Sequence, residues 1–180
     1  MKKSPHNAIN ASMHSGDKRF LYVLNQSKFL EKVLDEKEKE LLEKYLVPTY
    51  IYGKDNEIWG NALINKDKFI LKHYGKGMSE DVYAGCLTSE KKWKDIFNSE
   101  IIKKMVLQPF IKQKQFSGRI GNEVRNDFIT GTLLFFNKEF FGPGLYRTHT
   151  STVTSGSGDF RKIAPLVAKA DKKIAEVHYL

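Results

Sequence analysis

Helices first, then two small lobes of mainly antiparallel sheet, make an α+β chain the fold class that the sequence predicts. Three observations point there. Apolar residues recur at helical spacing through the first 60 residues, with helix-start signals among them. Short apolar runs at 69–72, 82–86 and 105–111 follow, each bounded by polar or turn residues. Glycine then gathers: seven of the 13 glycines fall between Gly118 and Gly158, around two further strand-like stretches.

Taken in order, Asp17 is placed to cap a short helix over 17–24. Phe29, Leu30, Val33 and Leu34 continue the helical spacing. Asp35, with Glu38 three residues later, has the form of a capping box and opens a helix to about Leu46. Leu41, Leu42, Tyr45 and Leu46 form its apolar edge, Pro48 stops it, and packing is the role expected of these helices. Phe69-Ile70-Leu71-Lys72 reads as a strand, 73–81 as a loop and 82–86 as the returning strand, with Cys86 packed inside. Thr88 or Ser89 caps a helix through Trp93 and Phe97, and Trp59 and Trp93 pack. Residues 105–111 form a buried strand whose end Pro109 places at a sheet edge or exit. Residues 127–137 and 145–154 pair as a hairpin around Gly142-Pro143-Gly144. Ser155-Gly156-Ser157-Gly158 is a flexible turn. Asp159 then caps a closing helix through Ala168 or beyond, which Pro165 kinks or delays.

With 180 residues, 41% hydrophobic and 12% aromatic, the chain can bury a core in one domain or two lobes. Its 28% charge and mean hydropathy of −0.46 exclude wholesale disorder. No apolar run nears the roughly 18 residues of a membrane helix. The basic start lacks the apolar stretch of a secretory signal. Lone Cys86 excludes an intrachain disulfide, and there is no Cys-x-x-Cys pair for zinc. A cytoplasmic setting without membrane contact is the expectation. The net charge of +9 invites a polyanion. Yet 25 of the 30 basic residues are lysines, many set among glutamates as in 35–40, the pattern of a solvated face. Nucleic acid is therefore not the expected partner, whereas anionic small molecules, nucleotides included, stay open.

Strand alternation puts Arg125 and Asp127 on one face of their strand, and Arg147, His149 and Ser151 on one face of theirs. If the two strands pair, these groups could converge beside a Gly/Ser loop able to cradle phosphate. The alternative is a wet outer sheet face beside a plain turn. Lys72 closes an apolar triplet before the Gly-bearing stretch His73-Tyr74-Gly75-Lys76-Gly77; it is either an ordinary strand-end lysine or a point charge for phosphate. The five histidines show no zinc-protease spacing, and there is no Gly-x-Ser-x-Gly elbow.

Several segments, in order, resemble the C-terminal half of the circularly permuted ATP-grasp family, which is related to glutathionylspermidine synthetases. Asn7-Ala8-Ile9-Asn10 followed by Gly16-Asp17-Lys18-Arg19 resembles the opening in which a lysine begins a helix. Phe69-Ile70-Leu71-Lys72 is similar to the family's lysine-ending strand, and Val82-Tyr83-Ala84-Gly85 to its Gly-Val-x-x-Gly stretch. Thr88-Ser89-Glu90 with Trp93 resembles the following helix, and 106–111 the hinge strand with Gln108. Residues 125–131 and 142–147 resemble two arginine-bearing strand motifs, and 154–158 a second Gly/Ser loop.

The resemblance covers nearly the whole chain and implies one partial ATP-grasp unit over 1–180. It comprises a helical lead (1–60), a nucleotide-binding lobe (61–116), and a hairpin with closing helix (117–180). It implies ATP and Mg2+ as cofactors and a carboxylate–amine ligase that acts through an acyl phosphate on small carboxylate and amine substrates. It assigns Lys18 and Lys72 to the ATP phosphates and Gln108 to the adenine. Ser155, Gly156, Ser157 and Gly158 form a closing loop in this assignment, and Arg147 and His149 meet phosphate or substrate charge. Asp127 is the tentative magnesium ligand. Two departures stand against activity. Met78-Ser79-Glu80-Asp81 occupies the place of the glycine-rich lid, where acids would repel phosphates unless they bind magnesium. The family's Glu-x-Asn magnesium ligands belong to a preceding segment, so a missing N-terminal half or a partner chain is implied. The alternative is a non-catalytic nucleotide-binding or interaction module that keeps the fold.

Overall fold

The computed structural model describes residues 16–77, 79–120, 122–136, 139–153 and 161–163. The chain divides into two units, Met1–Ile111 and Lys112–Leu180. Each is built on a four-stranded sheet whose paired strands all run antiparallel. Together with the helices, this is an α+β fold.

Local signals set the helices that open the first unit: α1 (Arg19–Leu24), α2 (Ser27–Leu30) and α3 (Glu36–Tyr45). The capping box of α3 forms: Glu38 N–H donates to the Asp35 carboxylate at 2.8 Å, and Asp35 N–H donates to Glu38 Oε2 at 3.1 Å. Two expectations need correction here. The helix begins one residue later than expected, with Lys18 as the N-cap of α1, although the Asp17 carboxylate still accepts Arg19 N–H at 2.9 Å and takes up its guanidinium. The apolar edge of α3 is not buried: Leu41 is 60% and Tyr45 69% exposed, and no residue of the helix is buried. Its caps, not core packing, hold that helix.

The first sheet runs β1-β4-β2-β3, with β1 at Tyr50–Ile51, β2 at Phe69–His73, β3 at Val82–Ala84 and β4 at Met105–Pro109. Alternation sends Phe69 and Leu71 of β2, and Met105 and Leu107 of β4, to one face. There they meet Trp59 and Ala62 of α4 (Asn56–Ile64) and Trp93 and Ile96 of α5 (Glu90–Phe97). Trp93 Nε1 donates to Ala62 O at 3.0 Å and ties the two helices together. Ser89 caps α5 by accepting Lys92 N–H at 3.3 Å, while the Thr88 hydroxyl donates to Ala84 O. The opposite face carries Ile70 and Lys72, Val106 and Gln108, and Val82 and Ala84. Ile70 pairs with Gln108 and Ala84, and Lys72 with Val106 and Val82.

Strand β3 stops earlier than expected. Gly85 begins a 3-10 turn pressed against the main chain at Lys66, and a Cβ there would lie 1.8 Å from Lys66 O. That turn carries Cys86 to the surface, so Cys86 does not pack. Pro109 ends β4, after which Phe110 N–H donates to Lys68 O at 2.7 Å.

In the second unit β5 (Gln115–Ile120), β6 (Glu123–Phe136), β7 (Glu139–His149) and β8 (Arg161–Ile163) lie in chain order. The β6–β7 hairpin forms, but Phe136 pairs with Glu139, so Gly142-Pro143-Gly144 lies inside β7 and not at the turn. Register shifts along β6–β7 take up the extra residues of β7, and Gly142 adopts a left-handed φ of 115° that favours glycine. Pro143 is tolerated because β8 pairs only with Tyr146–Thr148 and leaves that edge open. Residues 161–163 are strand where a closing helix was expected, since the edge of β7 offers their backbone hydrogen-bond partners. Asp159, Pro165 and Ala168 lie outside the described residues.

Candidate functional site

Alternation in β2 fixes Lys72 on the sheet face away from α4 and α5. The side chain is half-buried and has no hydrogen bond or ion pair among the described residues. Burial first, and then the positive charge of Lys18, lower its proton affinity below that of an ordinary lysine. Lys18 comes from the start of α1 to the end of β2. Its N–H donates to Tyr74 O at 2.9 Å, and its ammonium donates to His73 O at 2.9 Å and to Lys76 O. Burial lowers its proton affinity as well. The Lys18 ammonium, held on the His73 carbonyl, is thus near enough for its charge to act unfavourably on Lys72. An anion placed between them would remove that cost.

The loop from β2 to β3 engages its own acids. Lys76 pairs with Asp81 at 2.8 Å and with Glu80. The Tyr83 hydroxyl adds a hydrogen bond to Asp81 at 3.0 Å. Through these contacts the Asp81 carboxyl sits below the usual range, and the Lys76 ammonium holds its proton more tightly than usual. Both acids of the loop are therefore paired within it, with Lys76 as their shared cation.

Gln108 shares the face of Lys72, one strand over, and is only 4% exposed. Its Nε2 donates to Thr49 Oγ1 at 2.8 Å, and the Thr49 hydroxyl donates to Val47 O at 3.1 Å. A hydroxyl has one hydrogen. Committed to a carbonyl, it can only accept from Gln108, which fixes the amide with NH2 toward Thr49 and Oε1 away from it. Among the described residues Oε1 has no partner.

In the second unit, register decides what alternation left open. Arg147 stands opposite Thr130, and His149 opposite Phe128, so these four share one face. Arg125 and Asp127 alternate with Phe128 and point to the other face, with Ile129 and Thr148. The expected convergence of Arg125 and Asp127 with Arg147 and His149 is not formed. Arg125 Nε instead lies 3.5 Å from Asp127 Oδ1. Asp127 is 4% exposed, and its Oδ2 and the buried Thr148 hydroxyl lack partners. Among the described residues no three metal-binding side chains gather around it or elsewhere. His149 Nδ1 accepts Ser151 N–H at 2.7 Å, which puts the proton of the neutral imidazole on Nε2. Ser155, Gly156, Ser157 and Gly158 lie outside the described residues.

Sequence reasoning misses Thr49, Tyr74 and the acid-holding role of Lys76. Thr49 and Tyr74 reach the site only through long-range contacts, so no local pattern marks them. Lys76, set between Gly75 and Gly77, offers the only hint. No helix among the described residues is long and apolar enough to cross a membrane. Compared with known proteins, the chain matches no family model and no curated protein.

Proposed function

We propose that the chain is the ATP-binding C-terminal portion of an ATP-grasp carboxylate–amine ligase acting through an acyl phosphate. One observation carries this reading. Lys18 is held at the end of β2, where its charge acts on Lys72, and Lys72, without an anionic partner among the described residues, lies on the sheet face that also presents the Gln108 acceptor. The ordered motifs of the sequence support it.

Bound ATP with Mg2+ would supply the phosphoryl group that turns a carboxylate into an acyl phosphate, from which an amine displaces phosphate to give an amide. Lys18 and Lys72 neutralise the phosphate oxygens, which is most of what phosphoryl transfer asks of a protein. Gln108 Oε1 accepts from the exocyclic amine of the base. The sequence motifs assign Arg147 and His149 to charge on the substrate. The same motifs name Asp127 for magnesium, but it faces away from Arg147 and His149, so the magnesium ligands are sought in a missing N-terminal half or a partner chain.

Mg-ATP should raise the melting temperature, since a ligand that binds only the folded state stabilises it. Lys72→Ala should abolish the shift. No shift at millimolar Mg-ATP overturns the proposal. ADP release with a carboxylate–amine pair, once the missing half is supplied, separates a ligase from a non-catalytic nucleotide-binding module.

A further inference from the structure

Lys18 is held at the end of β2, on the His73 carbonyl, against the repulsion of the nearby Lys72 charge, and that needs a fastening. The residues on either side of Lys18 provide one. The Arg19 guanidinium lies over the Tyr74 ring, 3.9 Å from its centre. Asp17 grips the same guanidinium through Nε at 3.0 and 3.1 Å, and both carboxylate oxygens are engaged by Arg19. Lys18 N–H meanwhile holds the Tyr74 carbonyl at 2.9 Å. Tyr74 is thus gripped by ring and by backbone, and its own N–H is anchored on Lys104 O at 3.0 Å.

We infer that Arg19 and Tyr74 are positioning residues: their stacked contact keeps the Lys18 ammonium beside Lys72, so that both charges meet one polyphosphate. The inference rests on the anion-site reading above and adds to it the device that assembles the site. Neither residue touches the ligand. Each acts through Lys18.

A double-mutant cycle tests this with inorganic triphosphate as the probe, by calorimetry, with melting temperatures recorded for every variant. Arg19→Ala and Tyr74→Leu should each weaken binding about 3- to 10-fold, the scale of a lost cation–π contact and its consequence for one charge. Tyr74→Phe, which keeps the ring, should bind as the wild type. In a Lys18→Ala background, Arg19→Ala should cause no further loss, since its effect passes through Lys18. The inference is overturned if Arg19→Ala binds normally, or if its loss adds in full to that of Lys18→Ala. A wild-type chain that binds no triphosphate at millimolar concentration overturns the anion site itself, and this inference with it.

Discussion

At Lys72, burial and the neighbouring Lys18 both work against the charged form. Unfolded, this lysine titrates near the ordinary value of about 10.4. Folded, it titrates lower. Between the two values the unfolded chain binds more protons, so the contribution of Lys72 to stability rises with pH across that window. Polyphosphate binding runs the opposite way, because it needs the ammonium. Triphosphate titrations at alkaline pH, in buffers of different ionisation enthalpy, should therefore show proton uptake on binding; binding without uptake contradicts the role of Lys72. A second residue-scale prediction concerns Thr49, whose hydroxyl fixes the Gln108 amide. The wild type should prefer ATP to ITP, which carries a 6-oxo group in place of the amine. Thr49→Val frees the amide to turn and should erode that preference by roughly 3- to 10-fold, the worth of one hydrogen bond. Thr49→Ser should keep it. An unchanged ratio of dissociation constants in Thr49→Val would rule the device out.

Two helix caps of similar chemistry should give different results, because they support different elements. Ser89→Ala removes a cap worth about 1 kcal/mol, and α5 carries Trp93 and Ile96 of the core. The loss should appear as a fall of several degrees in the melting temperature. Asp35→Ala breaks a capping box of comparable worth, yet α3 buries no residue. Its loss should appear as faster amide exchange over 36–45 with little change in global melting; an equal fall in both variants would show that α3 packs after all. Gly85→Ala should be the most damaging of these changes, since its methyl would meet the Lys66 carbonyl. Caps were legible in the sequence because their partners lie three residues apart. The β6–β7 turn was not, because cross-strand pairing chose it over the nearby Gly-Pro-Gly.

The whole chain divides at Ile111, three residues beyond Gln108. Among the described residues, every buried apolar residue, from Leu30 to Leu107, lies before that point. A fragment ending at Ile111 should therefore melt cooperatively; a broad, non-cooperative transition would show that the first unit needs the second. The surface charge also changes meaning at this scale. Lysines such as Lys39, Lys66 and Lys103 are taken up by local acids. Lys72 matters because no acid among the described residues takes it up.

The amino-acid pattern alone was enough for the class of fold, the capping box of α3, the strands at Phe69 and Met105, and the two tryptophans of the core; for α5 it left Thr88 and Ser89 open as caps. Each follows from periodicity or from a contact between near neighbours. It took long-range contacts to bring Lys18 to the end of β2, to let Thr49 orient Gln108, and to turn Arg125 and Asp127 away from Arg147 and His149. Those outcomes depend on register and on contacts between distant segments. A strand fixes which of its own residues share a face, but only its partner's register fixes which residues of the next strand join them.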